Sequence, residues 1–140
     1  MKYYLTFILL FCINSSATVF KEKILICIDE KKYINKDIAK SDYIFGYIFN
    51  NISADYYYNT VKDNNMYETN KILNIKYNLN SEFIILELEY GNLFIDRKTY
   101  EHSFNNYITA RCEVGKNKKF FFDLLNDRKK KLNNQIYEKQ

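Results

Sequence analysis

The residues of this chain whose chemistry depends on their neighbours are two of its three cysteines, one histidine and a pair of glutamates. Cys27 and Cys112 can join as a disulfide if the chain leaves a reducing compartment, and stand as free thiols if it does not. The only histidine, His102, lies beside Glu101 and Ser103, the residue types of a nucleophile–histidine–acid relay. Adjacent residues on an extended chain point apart and cannot form that relay, so His102 reads as part of a solvated turn between strands. Glu87 and Glu89 sit two apart on an expected strand, which puts them about 7 Å apart on one face. Paired-carboxylate hydrolases use such spacings, but outward-facing strand glutamates are far commoner, and that is the reading adopted. Two distant cysteines and one histidine are too few to hold a metal. The three glycines, at 46, 91 and 115, are isolated and form no phosphate-cradling loop. No catalytic residue, metal ligand or cofactor is therefore assigned, and the chain is not expected to be an enzyme.

Charge is distributed unevenly. Residues 18–115 hold 12 Lys and Arg against 14 Asp and Glu, whereas residues 116–140 hold 8 against 3. The tail is basic and the body is not. Within the tail, Arg128, Lys129, Lys130 and Lys131 form a run that can meet an anionic surface. An exported chain would meet a membrane or envelope surface, and a nucleic-acid partner is not expected.

Export is indicated by the first residues. Met1-Lys2 is followed by an apolar run to Ile13 and by the small polar stretch Asn14-Ser15-Ser16-Ala17, the three-part layout of a secretory signal peptide. The run is only about half the roughly 20 residues that a membrane-spanning helix needs. Cys12 follows the bulky Phe11, which argues against a lipid anchor. A cut after Ala17 removes Cys12 and leaves Cys27 and Cys112 as an even pair, hence a disulfide in a secreted or periplasmic protein. Such a bond closes a loop of about 86 residues and in the chain-entropy model stabilises by roughly 4 to 5 kcal/mol.

The elements that must position these residues are mostly strands. Of the 140 residues 47% are hydrophobic and 18% aromatic, which excludes a disordered chain and is enough for one domain core. Alternation with period two places Leu73, Ile75, Tyr77 and Leu79 opposite Asn74, Lys76 and Asn78, and Ile84, Leu86, Leu88 and Tyr90 opposite Ile85, Glu87 and Glu89. A third strand follows Gly91-Asn92, making a meander. Further strands are expected over residues 23–29, 43–49 and 104–114, the last with Ile108, Ala110, Cys112 and Val114 on one face. Residues 51–69, with Tyr56-Tyr57-Tyr58, suit a short strand and an exposed loop, and residues 34–42 a loop or single helical turn. After the turn at Gly115-Lys116-Asn117-Lys118, Phe120 to Phe122 either continue as a strand or open a helix, and a helix is expected over residues 123–137.

Hairpin-connected strands without helical crossovers predict a mainly β fold: a small antiparallel barrel or sandwich of six to eight strands over residues 18–122, with a basic C-terminal helix or tail over 123–140. A bond between Cys27 in the first strand and Cys112 in the last favours closure, because pairing the terminal strands leaves no free edge. Phe45, Tyr47, Tyr77 and Tyr90 are the candidates for the interior, either packed solid or lining a ligand cavity.

The string Ile95-Asp96-Arg97-Lys98-Thr99, ahead of Cys112 and behind an exported N-terminus, resembles a pattern of short secreted bacterial proteins. In those, a hydrophobic residue, Asn or Asp, Arg, any residue and Thr precede a closing Cys. Tyr100 stands where that string usually continues into Gly. The resemblance implies export and a β architecture and names no substrate. The functional expectation is an exported, non-enzymatic protein that binds a partner or small apolar ligand. The alternative is a structural protein of the envelope or membrane surface, docked through its basic helix.

Overall fold

The computed structural model describes residue 20, residues 23–29 and residues 42–140. The expected signal peptide over residues 1–17 and the expected loop over residues 34–41 lie outside the described residues. Among the described residues, eight strands follow one another in chain order: β1 (Ile24–Asp29), β2 (Ile44–Phe49), β3 (Ser53–Val61), β4 (Tyr67–Leu79), β5 (Phe83–Leu88), β6 (Gly91–Asp96), β7 (Glu101–Phe104) and β8 (Tyr107–Val114). Every sequential pair is antiparallel, and β8 returns to pair with β1, closing a barrel. The fold is mainly β, as the alternation predicts. Closure is stitched covalently: Cys27 and Cys112 face each other in the β1–β8 register and form a disulfide inside the wall, with Cα atoms 4.0 Å apart.

One end of the barrel is packed solid. Phe20 meets Phe49 edge-on at 4.9 Å, and Phe49 meets Tyr77 edge-on at 5.2 Å. Tyr77 donates its hydroxyl proton to the Asn50 carbonyl at 2.7 Å, so its polar end is satisfied at the rim. Leu25, Ile84, Leu86 and Ile95 above this plug have no appreciable exposure.

A second core lies outside the barrel. The run Ile24-Leu25-Ile26-Cys27-Ile28 is buried on both faces: Leu25 and Cys27 point inward, whereas Ile24, Ile26 and Ile28 lie under α1 (Lys118–Glu138) with Ile44, Ile48, Phe121 and Leu125. Gly46 on β2 permits this close approach. A Cβ there would lie 2.6 Å from the Phe121 ring and 2.4 Å from the Leu25 carbonyl oxygen. Asn117 caps the helix, its side-chain oxygen accepting from the Phe120 amide at 2.8 Å. The helix thus opens at Lys118, before the expected residue 123, and Phe120 to Phe122 are helical.

Other departures from the alternation have local causes. The expected strand over residues 104–114 is a hairpin, because Asn105 and Asn106 both adopt left-handed backbone (φ 48 and 66), which Asn tolerates and a tight two-residue turn requires. Residues 51–69 do hold a strand and an exposed turn, but the strand is longer than expected and a second strand begins at Tyr67. The nine residues of β3 pair with β4 up to Val61 and Tyr67, and the two strands form an arm that α1 holds through Asn59 Nδ2 to the Leu125 carbonyl at 2.9 Å and Tyr67 N–H to Asn133 Oδ1 at 2.7 Å. A bulge sets Leu73 and Asn74 opposite Asp55 and pairs Ile72 with Tyr56, so Ile72 rather than Leu73 reaches the cavity lining, while both stay about half exposed. A second bulge at Thr109 takes Ile108 off the face of Ala110 and Cys112, leaving it 42% exposed.

Candidate functional site

The opposite end of the barrel is hollow. A cavity of about 240 Å³ opens there, bounded by β1, β2, β3 and the β7–β8 hairpin on one side and by β4, β5 and β6 on the other. Its first wall carries Phe45, Tyr47, Tyr56, His102 and Thr109, and its second wall Ile72, Ile75, Leu88, Tyr90 and Leu93. The second wall parts toward the rim. β4 and β5 pair only at Tyr77–Leu86, Asn78–Ile85 and Leu79–Ile84, and beyond these a groove runs between them, flanked by Ile72, Asn74, Glu87, Glu89 and Tyr90.

Period-two geometry builds the aromatic wall. Tyr47 pairs with Tyr56 across β2 and β3, and Phe45 with Tyr58, so alternate residues of two strands present rings to one space. Four rings lie in a row: His102 on Tyr47 (centroids 5.9 Å, 26° between planes), Tyr47 on Tyr56 (5.1 Å, 27°) and Tyr56 on Tyr58 (4.8 Å, 21°). Phe45 touches three of them edge-on, Tyr47 at 6.1 Å, Tyr56 at 5.7 Å and His102 at 5.8 Å, and so fixes their tilt.

His102 is not in a turn. The chain reverses at Asn105–Asn106, which leaves Glu101 to Phe104 as β7 and aims His102 into the barrel, 6% exposed. Its neighbours are directed elsewhere: Glu101 pairs with Arg111, and Ser103 donates to the Phe94 carbonyl. Both imidazole nitrogens are engaged, Nε2 with Tyr47 Oη at 2.8 Å and Nδ1 with Thr109 Oγ1 at 2.7 Å. Thr109 donates its one hydroxyl proton to the His102 carbonyl at 3.1 Å, so Oγ1 accepts from Nδ1–H. Nε2 is then bare and accepts from the Tyr47 hydroxyl. Burial pushes the His102 pKa down to about 4 and holds the Tyr47 phenol well above its ordinary value, with Tyr56 and Tyr90 adding to the latter. Tyr56 is likewise raised, first by burial and then by Tyr58. Near neutral pH this relay is a neutral imidazole and a protonated phenol. Such a pair positions an oxygen rather than moving a proton.

The other sequence-derived candidates fall as follows. Phe45 and Tyr47 line the cavity. Tyr90 does so only from the rim, because it occupies the β5–β6 turn and is 76% exposed, and Tyr77 belongs to the plug at the closed end. Glu89 lies past the end of β5, so it does not share a strand face with Glu87, which accepts from Asn78 Nδ2. Of the basic run, Arg128 pairs with Asp127, Lys131 pairs with Asp42, Lys129 is half-buried and Lys130 is exposed. The apolar stripe of α1, Phe121, Leu125 and Leu132, is buried against the barrel and the arm. Among the described residues no helix is long and apolar enough to cross a membrane. Tyr56, Thr109, Ile72 and Leu88 also line the cavity, beyond the residues expected for the interior. The triplet Tyr56-Tyr57-Tyr58 held a signal for one of them, since in a strand its outer members share a face. No family model, curated protein or solved structure matches this chain.

Proposed function

We propose that this chain is an exported, non-enzymatic binding protein that holds a small, largely apolar ligand in the open end of its barrel. The cavity carries this reading: one wall is mainly aliphatic, the other mainly aromatic with one buried polar relay, and Asp29 joins the lining from the end of β1. Its volume of about 240 Å³ is below the roughly 300–1,000 Å³ of drug-sized sites, so a ligand of one or two rings fits. Export is supported by the leader-like residues 1–17, by the Cys27–Cys112 disulfide and by the likeness of the Ile95–Thr99 string to secreted bacterial proteins. The same features support secretion or periplasmic residence. Intact mass of the exported protein should correspond to a cut after Ala17 with no alkylatable thiol before reduction. A full-length mass, or two free thiols, would contradict export.

The ligand reading is tested by titration with 1-naphthylamine, a two-ring probe whose emission shifts to the blue in an apolar site. Saturable one-site binding is expected, weakened ~10-fold or more in Ala110→Leu, which fills the cavity from β8. Absence of binding, or full affinity in a folded Ala110→Leu variant, would refute it.

A further inference from the structure

We infer that the ligand of this cavity is a planar aromatic molecule carrying a hydrogen-bond donor, which Tyr47 Oη accepts. The inference rests on the binding reading proposed above and goes beyond it in naming the ligand's chemistry. Planarity follows from the wall. Rings at His102, Tyr47, Tyr56 and Tyr58 follow one another with planes within 27° of parallel, and Phe45 fixes their tilt from the edge. A flat ring can continue such a row or lie along it with little loss of side-chain freedom, since these side chains are already packed.

Donor preference follows from the direction of the relay. Thr109 Oγ1 gives its proton to the His102 carbonyl and takes one from Nδ1, so Nε2 must be an acceptor. Tyr47 has one hydroxyl proton, and Nε2 holds it at 2.8 Å. What remains at the Tyr47 oxygen is lone-pair density at the edge of the cavity. A ligand O–H or N–H placed there gains a hydrogen bond. A ligand acceptor in the same place meets like charge and could be served only if the Tyr47 hydroxyl turned its proton away from Nε2, leaving a buried nitrogen without a partner.

A matched pair of probes separates the claims: 2-naphthol, which offers an O–H, and 2-methoxynaphthalene, which has the same rings with that donor capped. Calorimetric titration of the wild-type protein should show 2-naphthol bound ~5–10-fold more tightly. In Tyr47→Phe the ratio should fall to about one, with 2-methoxynaphthalene affinity retained. Equal affinities in the wild type overturn the donor inference and leave the binding reading standing. A preference that persists in Tyr47→Phe also overturns it. Failure of both probes to bind sinks the binding reading itself. A second measurement needs no variant: His102 is the only histidine, so a long-range proton–nitrogen correlation spectrum of the wild type reports its tautomer without ambiguity. A protonated Nδ1 with a bare Nε2 is expected, and the opposite tautomer overturns the inference.

Discussion

The two ends of the barrel are built from the same residue types and come out differently. At the closed end Phe20, Phe49 and Tyr77 meet edge-on and leave no space, and the Tyr77 hydroxyl is turned to a backbone carbonyl at the rim. At the open end Phe45, Tyr47 and Tyr56 line a hollow, and the Tyr47 hydroxyl is turned inward to a buried histidine. Aromatic content therefore does not decide between a solid end and a hollow one. What decides is whether a third ring crosses the axis and where the phenol oxygens find partners. The closed end should consequently carry stability, and the open end should carry specificity at little cost to the fold.

The covalent tie between the terminal strands, in the wall between the two ends, has the largest expected effect. Replacing both Cys27 and Cys112 by Ala should lower unfolding free energy by roughly 4 to 5 kcal/mol in the chain-entropy picture of its 85-residue separation, measured by denaturant titration. A loss under about 1 kcal/mol would show that hydrogen bonding between β1 and β8 alone holds the barrel shut.

Next comes a direct comparison of ends. Phe49→Ala should cost about 3 to 5 kcal/mol, as deletion of a fully buried ring does, whereas Tyr90→Ala at the open rim should stay within about 0.5 kcal/mol. Similar losses at the two positions would mean that the two ends contribute alike to stability.

The buried histidine makes the open end sensitive to acid. Its folded pKa of about 4 lies below the unfolded value near 6.5, so above pH 6.5 both states are neutral and its full contribution is present. As pH falls from 6.5 to 4 the unfolded chain takes up a proton that the folded chain refuses. About 3 kcal/mol of stability should be lost across that window, and His102→Gln should remove that part of the pH dependence. An unchanged slope in His102→Gln would show that the imidazole is open to protonation in the native state.

A smaller effect is expected at Tyr100, at the closed end. Its backbone is left-handed (φ 56), a conformation that glycine adopts freely, yet its side chain packs on the barrel core. In Tyr100→Gly relief of strain of about 1 kcal/mol should offset part of the lost packing, so the net change should be less than half that of Phe49→Ala. A loss equal to that of Phe49→Ala would make Tyr100 part of the plug.

Much of this architecture is legible in alternation and turn residues. The meander from β4 to β6, the inward faces of Ile75, Tyr77, Ile84 and Leu86, and the pairing of the terminal strands by cysteine all follow from period two and a cysteine count. The open end is harder to read because it depends on interruptions of that period. Bulges at Leu73–Asn74 and Thr109 exchange inner for outer residues, and the turn at Asn105–Asn106 hides in a segment that looks continuous. Displacing that turn by a few residues is what carries His102 from solvent to the interior. The helix shows the reverse difficulty. Its charge run is visible in sequence, but the glycine at 46 that lets Phe121 seat against β2 acts only through tertiary contact.

The contrast between the ends is tested most directly by methyl chemical-shift mapping with saturating 2-naphthol. Ile72, Ile75, Leu88 and Leu93 should shift, while Leu25, Ile84 and Ile95 should hold their positions. Shifts spread evenly over both groups, or confined to Leu124, Leu125 and Leu132 of the helix, would contradict a binding site at the open end.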